Sequence, residues 1–398
     1  MFLTKEEELM LSGEKGEGMQ KAMEIVVALG KIYGAEKLVN VNSVQVSGVS
    51  YKNLGDAGIE FLEEWAKKGG RISVKTTLNP AGMDLENWKK LGFKEEFAIK
   101  QLKVIDAFKK MGISPVCTCT PYLIGNAPKF GEHIAWGESS AVAFANSVIG
   151  ARTNREGGPS ALAAAISGRT ACYGFHLEDN RKADFIFKVD CKVDGFSDLG
   201  ALGNIIGKIV KNKVPYIMGI ADSNQDDLKV FGASMAASGA VALFHIDGIT
   251  PEAKVSNMIR DSAERINIEN LEEGYASLNS KVSKIDFVSI GCPHASVDEL
   301  KKIAELVIGK KVKAELWITT SKYVSGKAKD AVKIIEQSGG KVLNDTCLVV
   351  APVEDFGFKN LATNSGKSAF YAPAYSKLNV RFGTLEQCIN AAIKGRWE

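Results

Sequence analysis

"KIDFVSIG" (residues 284–291) opens the stretch that decides the fold. It is an apolar run of strand length, and "VDELKKIAELVIG" (297–309) follows it with helical spacing. "KAELWITT" (313–320), a second helical segment and "GKVLNDTCLVV" (340–350) repeat the alternation, so this region reads as a βαβαβ unit. Between the first strand and its helix lies "CPHAS", with Cys292 directly after Gly291 and before Pro293. A cysteine that only packs a core is usually found inside an element. This one sits at the mouth of a βα unit, where α/β chains meet ligands.

The same alternation runs outward through the chain. "GMQKAMEIVVALGKIYG" (18–34), "LGDAGIEFLEEWAKKGG" (54–70) and "EEFAIKQLKVIDAFKKMG" (95–112) read as helices. "KLVNVNSVQVSG" (37–48), "RISVKTTLNP" (71–80) and "ISPVCTCTPY" (113–122) read as strands running into loops. In the middle, "DFIFKVD" (184–190), "VPYIMGI" (214–220) and "GAVALFHIDGI" (239–249) read as strands, with "DLGALGNIIGKIVKN" (198–212) as a helix. The expected fold class is α/β with largely parallel sheets, in regions 1–180, 181–283 and 284–398.

Bulk properties narrow the function. The 398 residues are 45% hydrophobic and 24% charged, as in an ordinary globular protein. A formal net charge of +3 with no dense Lys/Arg block gives no nucleic-acid surface. No apolar run reaches membrane-span length, and the charged N-terminus "MFLTKEEELMLSGEKGEG" is unlike a signal peptide, which places the expected location in the cytoplasm. Seven cysteines in such a chain point to metal ligands or buried free thiols ahead of disulfides.

The loops after the strands carry the candidates: "SGVSYKN" (47–53), "TTLNPAG" (76–82), "CTCTPY" (117–122), "GCPHAS" (291–296) and "NDTC" (344–347). Cys117, Cys119, Cys292 and Cys347 lack the paired spacing of a zinc site. Thiols from three distant loops suit a buried iron–sulfur cluster. With three thiolates, one iron stays open to act as a Lewis acid. The alternative is that all are buried free thiols, the reading taken for Cys172, Cys191 and Cys388. Gly48, Val49 and Ser50 follow a strand and offer backbone N–H groups to an anion, or form a plain turn. Asn79 and Pro80 shape a pocket or a turn. In 137–170, Ser139, Ser140 and Asn146 lie near a helix start, and Arg152, Asn154 and Arg155 follow in a loop. They form an anion site or a packed helix pair with exposed arginines. "TNSGKSAFYAP" (363–373) fails as a P-loop, because Leu361 stands where its first glycine belongs. "GEKGEG" (13–18) follows no strand. His133, His176, His245 and His294 are dispersed, and no Ser/His/Asp triad can be built from them.

"SVQVSGVSYKNLGDAG", "TTLNPAGMD", "CTCTPYLIG", "WGESSAVAFANSVIGARTNREGGPSAL", "HLEDNR", "GITPEA", "IGCPHAS", "NDTC" and "NSGKSAFYAP", taken in order, resemble the catalytic large subunit of the aconitase X family, archaeal type. The resemblance implies an aconitase-like fold of several α/β/α units, lacking the swivel domain. It implies a [4Fe-4S] cluster on Cys119, Cys292 and Cys347. Cys119 is preferred to Cys117 because Cys119-Thr120-Pro121-Tyr122 matches the family motif. It implies substrate contacts at Gly48, Val49, Ser50, Asn79, Pro80, Glu138, Ser139, Lys367 and Ser368, with Lys367 and nearby amides meeting a phosphate. The implied reaction is dehydration of (R)-5-phosphomevalonate to trans-anhydromevalonate 5-phosphate in a modified mevalonate pathway. The chain runs to "INAAIKGRWE" without a swivel module, so the resemblance implies a separate small subunit that supplies a serine base, and little activity from this chain alone. The alternatives are a cis-3-hydroxy-L-proline dehydratase of the same family and, in another class, a non-catalytic metabolite-binding, electron-transfer or iron-sensing protein.

Overall fold

The computed structural model describes residues 1–220 and 223–398. The first region holds β1 (Leu38–Asn40), β2 (Ser43–Val46), β3 (Lys75–Leu78), β4 (Ala135–Trp136) and β5 (Arg169–Ala171). The middle holds β6 (Ala183–Val189), β7 (Pro215–Met218), β8 (His245–Ile246) and β9 (Ile259–Ile268). The last holds β10 (Phe287–Ile290), β11 (Glu315–Thr320), β12 (Lys341–Asn344), β13 (Asn360–Thr363) and β14 (Asn379–Phe382). The sheets are ordered β3-β2-β4, β8-β7-β6-β9 and β12-β11-β10-β13-β14, all parallel, with β1 and β5 as a small antiparallel pair.

The 284–350 stretch folds as its spacing predicts. Helix Val297–Val307 buries Leu300, Ile303, Ala304 and Val307, one face at i, i+3, i+4 and i+7. Full burial of each large aliphatic side chain stabilises by about 1.5–3 kcal/mol. Ser296 caps this helix in a reciprocal box with Glu299. Gly291 takes φ 96°, and a Cβ there would lie 2.1 Å from the Thr319 carbonyl oxygen. Only glycine lets the chain turn so tightly from β10 into the Cys292 loop.

Three strand expectations need correction. "KLVNVNSVQVSG" breaks in two: Asn42 gives its N–H to the His133 carbonyl (3.0 Å), and β1 and β2 enter different sheets. "ISPVCTCTPY" contributes a single bridge, Cys117 to Leu78, before the Gln45 amide takes the Thr118 carbonyl (2.8 Å). "GAVALFHIDGI" keeps only two strand residues. There the Asn146 amide serves the Ala242 carbonyl (2.9 Å) and Ser147 Oγ accepts the Phe244 N–H (2.8 Å). Side chains satisfy backbone groups that a ladder would otherwise pair. The ten-residue β9 is missed because it is a half-exposed edge strand, polar on both faces.

The first and middle regions meet at Arg181, whose side chain is wholly buried. Its guanidinium grips both Glu252 oxygens (2.7 and 2.9 Å) and donates to Asn146, Ala151 and Phe175 oxygens. Removing the carboxylate leaves an unpaired buried cation. We expect Glu252→Ala to lower stability by about 3–5 kcal/mol, read from the shift of the urea unfolding curve.

Nearby, His133 Nδ1 and His176 Nδ1 lie 2.9 Å apart, so one donates and the other accepts. Burial first, then His133, Arg181 and Arg152, push His176 down to about 3. Burial, then Arg152, Arg181 and Lys37, also lowers His133. Both rings are neutral in the fold and take up protons when it opens. Their stabilisation is complete above the ordinary histidine pKa of about 6.5 and is lost as pH falls below it. The fall in Tm between about pH 7 and about pH 5 should be smaller in His176→Gln than in the wild type; equal slopes would remove this pair from the pH response.

Candidate active site

Loops leaving the carboxyl ends of parallel strands line one cavity of about 490 Å³. Gly48 follows β2, Asn79 and Pro80 follow β3, and Glu138 and Ser139 follow β4. Cys292 follows β10, Cys347 follows β12, and Lys367 enters on helix Gly366–Ser376 after β13. Two sheets far apart in sequence thus contribute to one site.

Cys119, Cys292 and Cys347 all line this cavity, at 5%, 7% and 7% exposure. Cys117 is fully buried and does not line it. All seven cysteines are free thiols. Burial pushes the Cys119 thiol well up, with Glu138 and the other two cysteines adding to the shift. Burial and Cys292 push Cys347 up to about 12. Among the described residues no group of three His, Cys, Asp or Glu side chains could hold a single metal ion. A cluster spreads its ligands over several metal atoms, and soft thiolates are the donors that iron–sulfur clusters take.

His294 sits at the joint of the three cysteine loops, fully buried. Its backbone N–H donates to Cys119 Sγ (3.1 Å), Nε2 lies 2.9 Å from the Thr346 carbonyl, and Nδ1 lies 2.9 Å from Thr118 Oγ1. Burial pushes its pKa down to about 4, so the ring is neutral. A carbonyl can only accept, so Nε2 carries the hydrogen and Nδ1 accepts from the threonine hydroxyl. No local sequence signal marks this contact, because its partners come from two other loops far away in the sequence.

Lys367 is buried and donates to Glu138 Oε1, Ser139 Oγ (3.3 Å) and Ser140 Oγ (3.4 Å). Burial opposes its charge, but Glu138 and the thiols of Cys292 and Cys119 hold its pKa above that of an ordinary lysine. Burial also works against the Glu138 carboxylate. Lys367, the Ser140 hydroxyl (2.5 Å) and the Ala141 N–H (2.8 Å) outweigh it and keep the carboxyl below its ordinary value. Glu138 is the N-cap of helix Ser139–Phe144, and Ser365 caps the lysine's helix while donating to the Cys292 carbonyl.

Elsewhere in the lining, Gly48 takes φ 73°. No acceptor among the described residues meets the backbone N–H of Gly48, Val49 or Ser50. These three amides precede the segment Tyr51–Lys67, whose helix is interrupted by the non-helical Gly55; of the three residues only Gly48 lines the cavity. The side chains of Val49 and Ser50 are engaged elsewhere: Val49 is in the core, and Ser50 Oγ donates to the Val350 carbonyl (2.8 Å). Ser368 is wholly buried, with an Oγ that has no partner, and the Asn79 side-chain oxygen is likewise unpartnered. Arg155 lines the cavity from an exposed position, and among the described residues its side chain makes no hydrogen bond or ion pair. Arg152 is drawn away to Glu178 and the His176 carbonyl, and Asn154 to Tyr173 and Phe175. Tyr371 and Tyr375 also line the cavity. Their i, i+4 spacing marks one helix face, but Pro373 disguises the helix in the sequence.

Residues 1–179 match the aconitase X first domain, 183–275 the second and 285–394 the third. The phosphomevalonate dehydratase large subunit of Methanocaldococcus jannaschii is 52% identical over 407 residues, spanning 100% of both chains. The protein of that name from Thermococcus kodakarensis is 50% identical, over 98% of this chain and 100% of the other. A cis-3-hydroxy-L-proline dehydratase of Hypocrea jecorina is 34% identical, over 100% of this chain and 69% of the relative. The crystal structure of Thermococcus kodakaraensis aconitase X in its holo-form superposes with a TM-score of 0.92, at 49% identity, over 98% of this chain and 100% of that one. With its three regions matched in order and relatives aligned from end to end, the chain belongs to the aconitase X family.

Proposed function

We propose that this chain is the large subunit of an iron–sulfur hydro-lyase that dehydrates (R)-5-phosphomevalonate to trans-anhydromevalonate 5-phosphate. The observation that carries the reading is a single cavity lined by three cysteines from distant loops together with Lys367, Gly48 and Arg155. The relatives called phosphomevalonate dehydratase large subunit support the substrate.

Cys119, Cys292 and Cys347 would hold the [4Fe-4S] cluster as thiolates, and when bound it supplies a Lewis acid for the departing hydroxyl. The chain's own residues orient the substrate. Lys367 lines the cavity together with Cys119 and Cys292 and is locked to Glu138, so we place it at the substrate's hydroxy-acid end and not, as the resemblance implied, at the phosphate. Its ion pair keeps it charged there as a carboxylate partner. The amides of Gly48, Val49 and Ser50, together with Arg155, then take the phosphate. A Cβ on Gly158 would lie 2.9 Å from the Ser47 carbonyl oxygen, so the Arg155 loop packs directly against this turn. Asn79 and Ser139 hold polar atoms of the bound substrate between the two ends.

We also propose a small swivel-domain partner that closes the cavity and supplies a serine base. Two observations support it: the relatives are named large subunits, and the proline dehydratase match covers 69% of that longer relative. Purified anaerobically with its small partner, the chain should turn over (R)-5-phosphomevalonate, hold about four iron atoms for one cluster, and lose turnover on chelation. Iron without turnover would move the substrate to cis-3-hydroxy-L-proline. Absence of iron after reconstitution would leave a metabolite-binding protein with buried thiols.

Arg155→Ala tests the phosphate end. A hydrogen bond to a charged group contributes about 1.5–3 kcal/mol, so KM should rise about tenfold or more with kcat much less affected. An unchanged KM would take the phosphate away from Arg155.

A further inference from the structure

One buried side chain reaches all three cysteine loops. His294 follows Cys292 by two residues, and its ring contacts Thr118, which precedes Cys119, and Thr346, which precedes Cys347. Its own N–H also meets the Cys119 sulfur at 3.1 Å. We infer that His294 is a positioning residue: it fixes the separation of the three cysteines, and so the seat of the cluster, before any metal arrives. The inference rests on the cluster reading above.

The contacts fix direction as well as distance. Nε2 must donate to the Thr346 carbonyl, so Nδ1 must accept from Thr118. Thr118 Oγ1 in turn accepts the Thr120 N–H at 3.1 Å. A replacement must donate at one end, accept at the other and span both loops. His294 is itself held from behind. The buried Lys229 donates to its carbonyl oxygen (3.3 Å) while paired with Asp226 (2.8 Å) and Glu299. Lys229 comes from helix Gln225–Gly239 of the middle region, so all three regions meet at this residue.

Such outer contacts tune metal affinity because they hold the ligands where the metal needs them, and their loss typically costs about 10–100-fold in affinity. The test uses the full chain reconstituted anaerobically with iron and sulfide, as wild type, His294→Gln, Thr118→Val and Thr118→Ser. Iron release to a chelator is timed, and the reduced cluster's electron paramagnetic resonance spectrum is recorded. We expect release about 10–100-fold faster and a shifted spectrum in His294→Gln and Thr118→Val. Thr118→Ser, which keeps the hydroxyl, should restore wild-type behaviour. Thr118→Val is nearly isosteric and decides the matter if His294→Gln does not fold. Wild-type release and an unchanged spectrum in Thr118→Val would overturn the inference and leave the cluster reading standing. A wild type that takes up no iron would overturn the cluster reading and this inference with it.

Discussion

A buried neutral imidazole joins three loops that the chain delivers from distant places. The Thr118 and Thr346 loops are separated by most of the sequence, and nothing in local propensity brings them together. His294 does so with two hydrogen bonds of 2.9 Å in a wholly buried setting. Polar contacts there are worth making well, because an unpaired donor or acceptor away from water costs about 1–3 kcal/mol. The three loops therefore have one arrangement that satisfies every group on the ring. The cavity takes one cysteine from each of these loops, so the proposed role of His294 bears directly on its lining.

The second constraint is electrostatic. Lys367–Glu138 lies in the cavity wall, and Lys229 with Asp226 and Glu299 forms a second, largely buried ionic group behind His294. Burying such charges is costly, and well-packed apolar residues can often replace them without loss of stability. Their placement argues for another role. Lys367 projects a positive charge into a cavity whose thiols must become thiolates to bind metal, and whose proposed substrate is anionic. Glu138 holds that charge in place through contacts with Ser139, Ser140 and the start of a helix. Lys229 points the other way, onto the His294 carbonyl. One pair conditions the site, and the other anchors its scaffold.

Much of this was legible in the sequence, for physical reasons. The C-terminal unit announced itself because Leu300, Ile303, Ala304 and Val307 fall on one helical face between strands buried on both sides. Cys292 stood out because its loop is dictated by local geometry, with Gly291 forced by the Thr319 carbonyl. What failed to show depends on contacts across the fold. Periodicity could not reveal that residues 241–244 give their backbone groups to Asn146 and Ser147 in place of a ladder. Arg152, Asn154 and Arg155 looked alike in one loop. Only the fold tells which has partners, and it leaves Arg155 without one at the cavity. His294 resembled any lone core histidine, because its importance lies wholly in what it touches.

The cavity also carries an asymmetry that bears on the partner. Dehydration needs a group to take a proton as well as a place for the hydroxyl. The carboxylates that line the cavity are already committed. Glu138 is held ionised by Lys367 below its ordinary pKa, which makes it a poor base. Glu156 accepts from Ser160 (2.5 Å) and Thr170 (2.9 Å), yet burial outweighs both and raises its pKa, while Lys367 is itself a cation. Among the described residues, then, Glu156 is the lining carboxylate whose pKa is shifted toward that of a base, and both of its oxygens are already hydrogen-bonded. The aromatic face that borders it bears on the same point: Tyr375 is 57% exposed and Phe370 36%, beside Tyr371, on the helix that carries Lys367. Aromatic side chains of this kind are enriched where one protein meets another. A base arriving on a second subunit over that face would complete the chemistry and shut out water in one movement. The exposed aromatic rim and the engaged lining carboxylates both fit the second subunit proposed above.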